Sequence, residues 1–299
     1  MKRSYSVEKS FLNTRLDKWF KRNVNDVPQS LIEKNIRKGN IRVNNSKKKS
    51  SYKLQENDEI ILKNINFKNK IINKITNYIP TKKEVTYSSS LIIENNENFI
   101  VINKPPGIAV QSGTKSKRNV IDILRKTKEF VGYTPFLVHR IDKETTGILI
   151  VAKNREYAQL FTSLFRIRKI YKSYLAIILG SLEKKNGKFI DTLYHYEGKK
   201  KNEYNAISRY KVLSNSNNYT FLKLNPETGR KHQLRKQLYM RGFPIIGDRK
   251  YNLKQNKSFK EQSMLLHSYE IKFIKNDKKF NYKAELDSEF QKKLNLYFS

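Results

Sequence analysis

The string His139-Arg140-Ile141-Asp142-Lys143-Glu144-Thr145-Thr146-Gly147 gathers a histidine, an arginine and a carboxylate in a chain otherwise rich in Lys, Asn and Ile. Asp142 stands just ahead of a Thr-Thr-Gly turn and the apolar run Ile148-Leu149-Ile150-Val151, so the pattern predicts a loop feeding a buried strand. A rigid strand that presents a loop carboxylate is a common way to hold a reacting group. A later block, Gly229-Arg230-Lys231-His232-Gln233-Leu234-Arg235, supplies cations. A carboxylate taken out of water needs a fixed cation beside it to stay charged, and a guanidinium, planar and always protonated, suits that task.

Other chemistries lack their hallmarks. The chain has no Gly-x-Gly-x-x-Gly after a strand, no phosphate-binding Gly-x-x-x-x-Gly-Lys-Ser/Thr and no Gly-x-Ser-x-Gly. His139-Arg140-Ile141-Asp142 differs from the protein-kinase loop by the inserted Ile, and no Asp-Phe-Gly follows. Glycoside hydrolysis needs two converging carboxylates, and Glu144 is too close in sequence to Asp142 to be a persuasive second one. Cys is absent and the four His (139, 195, 232 and 267) are scattered, so neither a disulfide framework nor a zinc cluster is expected. No metal and no cofactor is expected. A single carboxylate among basic and aromatic residues suits the rearrangement of a nucleic-acid base, in which nothing is oxidised and no group is imported.

The elements that must position these residues lie in the second part of the chain, residues 86–299. Apolar runs at Leu91–Ile93, Phe99–Ile102, Ile148–Val151, Tyr174–Leu179, Thr220–Leu224 and Tyr269–Ile274 predict strands. Helical stretches at Glu156–Arg166 and Lys231–Met240 fall between them without a regular βαβ rhythm, which predicts a mixed, largely antiparallel α+β domain. On the second helix His232 and Arg235 would share a face. The first part is smaller. Residues 15–20 carry apolar residues at helical spacing, Pro28 would open a second helix closing at Gly39, and short strands are expected at Ile41–Val43 and Glu59–Leu62. Residues 63–85, rich in Lys, Asn, Ile and Thr, read as a linker.

Charge points to the partner. Lys and Arg number 62 against 27 Asp and Glu, a net +35. An AT-rich genome would favour Lys, Asn and Ile, but it would enrich Glu as well, so the imbalance implies a polyanion. No apolar run is long enough to span a membrane and no secretory signal is visible at the N-terminus. A cytoplasmic monomer is expected, or an organellar one in a eukaryote.

Four ordered motifs carry a resemblance that covers nearly the whole chain. Val101-Ile102-Asn103-Lys104-Pro105-Pro106-Gly107, His139 to Gly147, Lys172-Ser173-Tyr174-Leu175-Ala176 and Thr228 to Arg235, the last followed by Gly242-Phe243-Pro244-Ile245-Ile246-Gly247-Asp248, resemble the RluA/RluC family of pseudouridine synthases. Residues 13–62, with Arg15-Leu16-Asp17, Arg37-Lys38-Gly39, Ile41-Arg42-Val43-Asn44 and Asp58-Glu59-Ile60, resemble the S4 RNA-binding module. Together with Ile108 to Gly113, that module leans towards the RluC branch, which modifies large-subunit ribosomal RNA. The resemblance implies Asp142 as the essential carboxylate, acting as nucleophile or as the base that removes the sugar's 2′ proton. It implies Tyr174 as the active-site tyrosine and Arg235 as the cation beside Asp142. His139, Arg140, His232, Leu234 and Lys104 would contact the substrate, with Arg140 placed to fill the gap left by a flipped nucleotide. Arg15, Lys18, Arg37, Lys38 and Arg42 would bind RNA from the S4-like module. Transfer RNA as substrate, or a non-catalytic RNA-binding or ribosome-assembly factor on the same fold, are the alternatives. Two positions depart from the family pattern, Gln237 and Phe243, where His is usual. They are expected to affect packing or RNA contact.

Overall fold

Apolar residues at helical spacing build the N-terminal part of the computed structural model, which describes residues 2–8, 11–25, 27–65, 78–112, 116–197, 200–252 and 263–298. Helix α1 (Leu16–Asn23) buries Leu16, Trp19 and Phe20, and α2 (Gln29–Lys38) buries Ile32 and Ile36. Pro28 sits at the cap of α2, one residue ahead of its expected place in the first turn. Gly39 ends the helix at φ +78°, and its N–H returns to the carbonyls of Asn35 and Ile36. Strands β1 (Lys2–Ser6), β2 (Ile41–Val43) and β3 (Glu59–Lys63) form an antiparallel sheet in the order β1-β3-β2. The side chains of both helices close over this sheet in one apolar cluster. Strand β1 precedes residue 13, so the small unit begins earlier than the 13–62 boundary read from the sequence. The chain divides into two compact units, residues 1–77 and 78–299.

The linker reading also changes at its C-terminal end. Residues 66–77 lie outside the described residues, but Thr81 opens a helix, α3 (Lys82–Ser90), through a capping box. The Thr81 hydroxyl accepts the Glu84 N–H at 3.3 Å, and the Glu84 carboxylate accepts the Thr81 N–H at 2.9 Å. Glu84 further accepts the Tyr78 hydroxyl at 2.7 Å and Arg118 Nε at 2.6 Å. These bonds, the Tyr78 hydroxyl foremost, hold its carboxyl down to about 2. The polar Ser-rich composition concealed a helix stabilised at its N-terminus.

The larger unit continues with β4 (Ile92–Asn95), β5 (Phe99–Lys104), α4 (Val120–Leu124), β6 (Phe136–Leu137), β7 (Thr146–Ala152), α5 (Arg155–Arg166) and β8 (Tyr171–Leu179). It then forms β9 (Asn186–Glu197), β10 (Lys200–Asn215), β11 (Tyr219–Pro226), α6 (Gln233–Met240), β12 (Leu266–Lys275), β13 (Lys278–Lys283) and α7 (Ser288–Phe298). The strands make one sheet, ordered β4-β5-β7-β12-β8-β11-β10-β9, with β6 on β7 and β13 on β12. Among these strands, as described, the pairings are antiparallel except β7 with β12. This is the mixed α+β architecture expected.

The apolar runs are continuous because the sheet is covered on both faces. Phe99, Val101, Ile148 and Ile150 point to one face with Phe161 of α5, and Ile100, Ile102, Leu149 and Val151 to the other with Ile123 and Leu124 of α4. Farther along, Ala176 and Ile178 of β8 meet Leu234 and Leu238 of α6, whereas Leu175 and Ile177 meet Phe290 of α7. The period-two alternation of the strands thereby fixes which residues reach α6.

Candidate active site

Asp142 lies on the loop between β6 and β7, where Ile141 is buried and the Asp142 carbonyl accepts the Thr145 N–H at 3.2 Å. The loop enters the sheet at Gly147, the only residue type that fits there. A Cβ at this position would lie 2.3 Å from the Ser268 carbonyl oxygen of β12, and its φ is +98°. Beneath the loop Lys104 is fully buried. Its Nζ donates to the carbonyls of Pro105 at 2.7 Å, Lys143 at 3.0 Å and Ile108 at 3.1 Å. Burial brings its amine down to about 7, with the charges of Glu144 and Asp142 opposing that fall. The expectation that Lys104 touches substrate is therefore corrected: all three donors go to backbone, and the side chain braces the Asp142 loop from behind.

Arg235, on the first turn of α6, reaches Asp142 across the fold. Its Nη1 donates to Asp142 Oδ2 at 2.9 Å, while Nε and Nη2 make a two-pronged pair with Asp248 at 2.6 and 2.8 Å. Arg235 and Asp248 are both buried. Burial alone works against the guanidinium charge, but the bonds to Asp248 and Asp142 outweigh it and push the pKa above the ordinary arginine value. Asp142 keeps 26% of its side-chain surface. Its Oδ2 is held by Arg235, so Oδ1 is the oxygen left to face a ligand.

His232 is near but is not a helical neighbour of Arg235. It caps α6 with a left-handed backbone, φ +55°, which corrects the shared-face expectation. Its Nε2 lies 3.7 Å from Asp142 Oδ1, and its Nδ1 shares a 3.0 Å hydrogen bond with the Tyr251 hydroxyl. Burial brings this imidazole down to about 4, Asp142 opposing and Arg235 adding to the shift, so it is neutral near pH 7. His139 stacks on Phe165 at 4.5 Å, and its Nε2 accepts the Ile150 N–H at 2.8 Å. Burial drives it to about 3. This ring borders the cleft but spends its acceptor on β7, which makes it an orienting group of the loop.

Tyr174 of β8 also lines the cleft, half-buried against the α6 cluster. Burial pushes its phenol up to about 12, Ser268 opposing and the Asp142 charge adding, so the hydroxyl stays protonated. Arg140 is exposed at the rim and Leu234 is buried in the wall. The space enclosed by these groups is an open cleft of about 1070 Å³. Among the described residues no group of three or more Asp, Glu or His has the arrangement to hold a metal ion.

The structure brings Asp142, Tyr174 and Arg235 to one cleft and adds two residues not assigned to it from the sequence, Asp248 behind Arg235 and Tyr251 beside His232. Asp248 closes the stretch Gly242 to Asp248 that follows the motif Thr228 to Arg235, and no role was read for it there from the sequence. Of the two departures, Gln237 is fully buried, its Nε2 donating to Asp191 at 2.8 Å and the Ala206 carbonyl at 3.1 Å, and its Oε1 accepting the Ser208 hydroxyl at 2.7 Å. Phe243 packs on the same cluster as α6. Both serve packing, one of the two outcomes expected.

In the N-terminal unit the predicted RNA contacts divide. Arg15 pairs with buried Asp17 at 2.7 and 3.1 Å, and Arg42 donates to the carbonyls of Gly39 and Asn45. Both hold local structure. Lys18, Arg37 and Lys38 are exposed.

Residues 98–239 match the family model described as RNA pseudouridylate synthase. A Buchnera aphidicola protein named ribosomal large subunit pseudouridine synthase C is 32% identical, the match covering 97% of this chain and 95% of that protein. The Rickettsia bellii protein of the same name is 34% identical, covering 93% and 96%. The human RNA pseudouridylate synthase domain containing 4 structure superposes with a TM-score of 0.62 at 25% identity, over 71% of this chain and 96% of that one. The human domain containing 1 structure, TM-score 0.56 at 20% identity, shares the fold.

Proposed function

The chain belongs to the RNA pseudouridylate synthase family, and on that premise we propose that it isomerises uridines of large-subunit ribosomal RNA, with Asp142 as the essential carboxylate. The observation that carries the reading is the bridge Asp142–Arg235–Asp248. It fixes a carboxylate at the wall of an open cleft, with one oxygen engaged by Arg235 and the other left for a nucleotide bound there. The names of the curated relatives support ribosomal RNA over transfer RNA. The intact bridge and Tyr174 speak against a non-catalytic factor. A cytoplasmic location accords with such a substrate.

Pseudouridylation breaks the C1′–N1 bond, turns the uracil and forms C1′–C5; the C5 proton leaves to solvent and N1 takes one up. Attack by Asp142 and removal of the 2′ proton by Asp142 both use Oδ1. Arg235, through its Nη1 bond to Oδ2, aims the carboxylate. Tyr174, protonated and aromatic, stacks on the base and offers its hydroxyl. A uridine within folded RNA must be extruded to reach them, and Arg140, exposed at the rim, would occupy the vacated stack.

The test is Asp142→Asn, assayed by tritium release from ribosomal RNA labelled at uridine C5. Pseudouridine formation should vanish while RNA binding persists. Activity within tenfold of the unaltered protein would overturn the role given to Asp142. Absence of any pseudouridine with the unaltered protein would overturn the proposed substrate.

A further inference from the structure

Lys172 is a cation in the cleft whose charge nothing in the described structure answers. It stands on β8 two residues before Tyr174, so both side chains leave the same face of the strand, and both line the cleft. The residue is half-buried, yet its ammonium makes no hydrogen bond or ion pair among the described residues. The other buried cations of the domain behave differently. Lys104 donates to three carbonyls, Arg235 binds two carboxylates and Lys153 donates to Asn95 Oδ1 at 2.7 Å. A sheltered ammonium without an acceptor is costly, and that cost is removed if the acceptor arrives with a ligand.

The surroundings specify the ligand's charge. Arg168, which follows α5 in a left-handed conformation at φ +60°, also lines the cleft, and its charge repels that of Lys172. Glu227, the acid on this side, is occupied by Arg209 at 2.7 Å and Lys188 at 3.5 Å. Glu270 on the adjacent strand is held by Lys272 at 3.0 Å and Lys223 at 3.8 Å. Gly229 leaves the space over the ammonium open, since even a Cβ there would be 3.9 Å from Lys172 Nζ. Two cations whose neighbouring acids, Glu227 and Glu270, are already paired with other cations form an anion subsite in the cleft. Residues two apart on a strand are separated by about 6.6 Å, the scale on which one nucleotide separates its base from its phosphate.

We propose that Lys172, with Arg168 beside it, binds the phosphate group flanking the uridine whose base lies on Tyr174. The inference rests on reading the cleft as the uridine pocket, and deepens that reading by assigning a residue to the backbone. Burial, and then Arg168, lower the Lys172 amine below its ordinary value, and a bound phosphate would reverse that shift.

The test uses the full chain and three small probes: uridine, uridine 5′-monophosphate and uridine 3′-monophosphate, with affinities from NMR titration. The unaltered protein should bind one monophosphate at least fivefold more tightly than uridine. Lys172→Met, which keeps the aliphatic stem, should erase that preference and leave uridine affinity within twofold. Lys172→Arg should retain most of it. Lys172→Gln provides a second neutral replacement should the Met variant fold poorly. A phosphate preference that survives both neutral variants, or no preference in the unaltered protein, would overturn the subsite. Pseudouridine formation on ribosomal RNA is scored separately. A protein that isomerises uridine without this preference loses the subsite and keeps its function, and one with the preference but no isomerisation loses the function and keeps the subsite.

Discussion

Asp142 has two oxygens in different surroundings, and Asp248 accounts for the difference. By taking Nε and Nη2 of Arg235, it leaves Nη1 to point at Asp142 Oδ2 and fixes the guanidinium plane. Asp248→Asn should therefore weaken both fold and chemistry. Removing one partner of a buried ion pair costs about 3 kcal/mol, measurable by urea unfolding. The single-turnover rate should fall at least tenfold because the guanidinium loses its orientation. Lost stability at an unchanged rate would confine Asp248 to a structural role. A second expectation concerns His139, held to about 3 by burial, whereas an unfolded histidine titrates near 6.5. Below that value the unfolded chain binds the extra proton, so the stability due to a neutral His139 is complete above about pH 6.5 and is lost as pH falls towards 3. His139→Gln should flatten this acid limb by up to about 1.4 kcal/mol per pH unit. An unaltered slope would mean that His139 titrates normally. The pairing of Asp142 with Arg235 was legible in sequence because each stands in a motif that carries the family resemblance. Asp248 and Lys172 stand inside stretches that carry the same resemblance, but their residue types alone say nothing of what they touch: the partner of Asp248 lies 13 residues away on α6, and the missing acceptor of Lys172 is visible only in the fold.

The elements that hold these residues were legible wherever burial imposed apolar residues. β5, β7 and β8 lie under helices on both faces, and their runs stand out. The β9–β10 hairpin escaped because, among its described residues, only Phe189 and Leu193 of β9 are large apolar residues at buried positions, while β10 buries the small Ala206 and Ser208 between half-buried Tyr204 and Tyr210. Polar groups do the joining there. Gln237 ties α6 to both strands, and Arg241 of the following turn pairs with Asp191 of β9 at 3.0 Å. At the other side of the site a single glycine decides whether the Asp142 loop can enter the sheet. Gly147→Ala would force a Cβ against the β12 backbone in a left-handed conformation, a strain of about 3 kcal/mol. Thermal unfolding should occur at lower temperature, and activity should fall further than stability because the loop that carries Asp142 must shift. Unchanged unfolding would show that β7 and β12 separate readily at this point.

At the scale of the whole molecule, two compact units both carry excess positive charge, and the cleft lies in the larger one. The residues around the cleft belong to residues 78–299, whereas Lys18, Arg37 and Lys38 project from residues 1–77. The sequence reading would have cut the chain near Thr86, inside α3. The capping box and the Tyr78–Glu84–Arg118 bonds move that cut to Tyr78. We propose that the smaller unit is an RNA clamp. A chain beginning at Tyr78 keeps its own apolar clusters, so it should fold and convert a short hairpin cut from ribosomal RNA around a modified uridine. On long ribosomal RNA it should bind more weakly, with a shallower dependence of log K on log salt concentration. Each lost phosphate contact lowers that slope by about 0.7–0.9, so loss of the Lys18, Arg37 and Lys38 contacts should lower it by about 2 to 3. The triple change of these residues to Met in the full chain should reproduce the altered slope, because Arg15 and Arg42 are already engaged within the unit. An unchanged slope in both proteins would make the smaller unit a structural appendage, and RNA would then be held by the cleft-bearing unit alone.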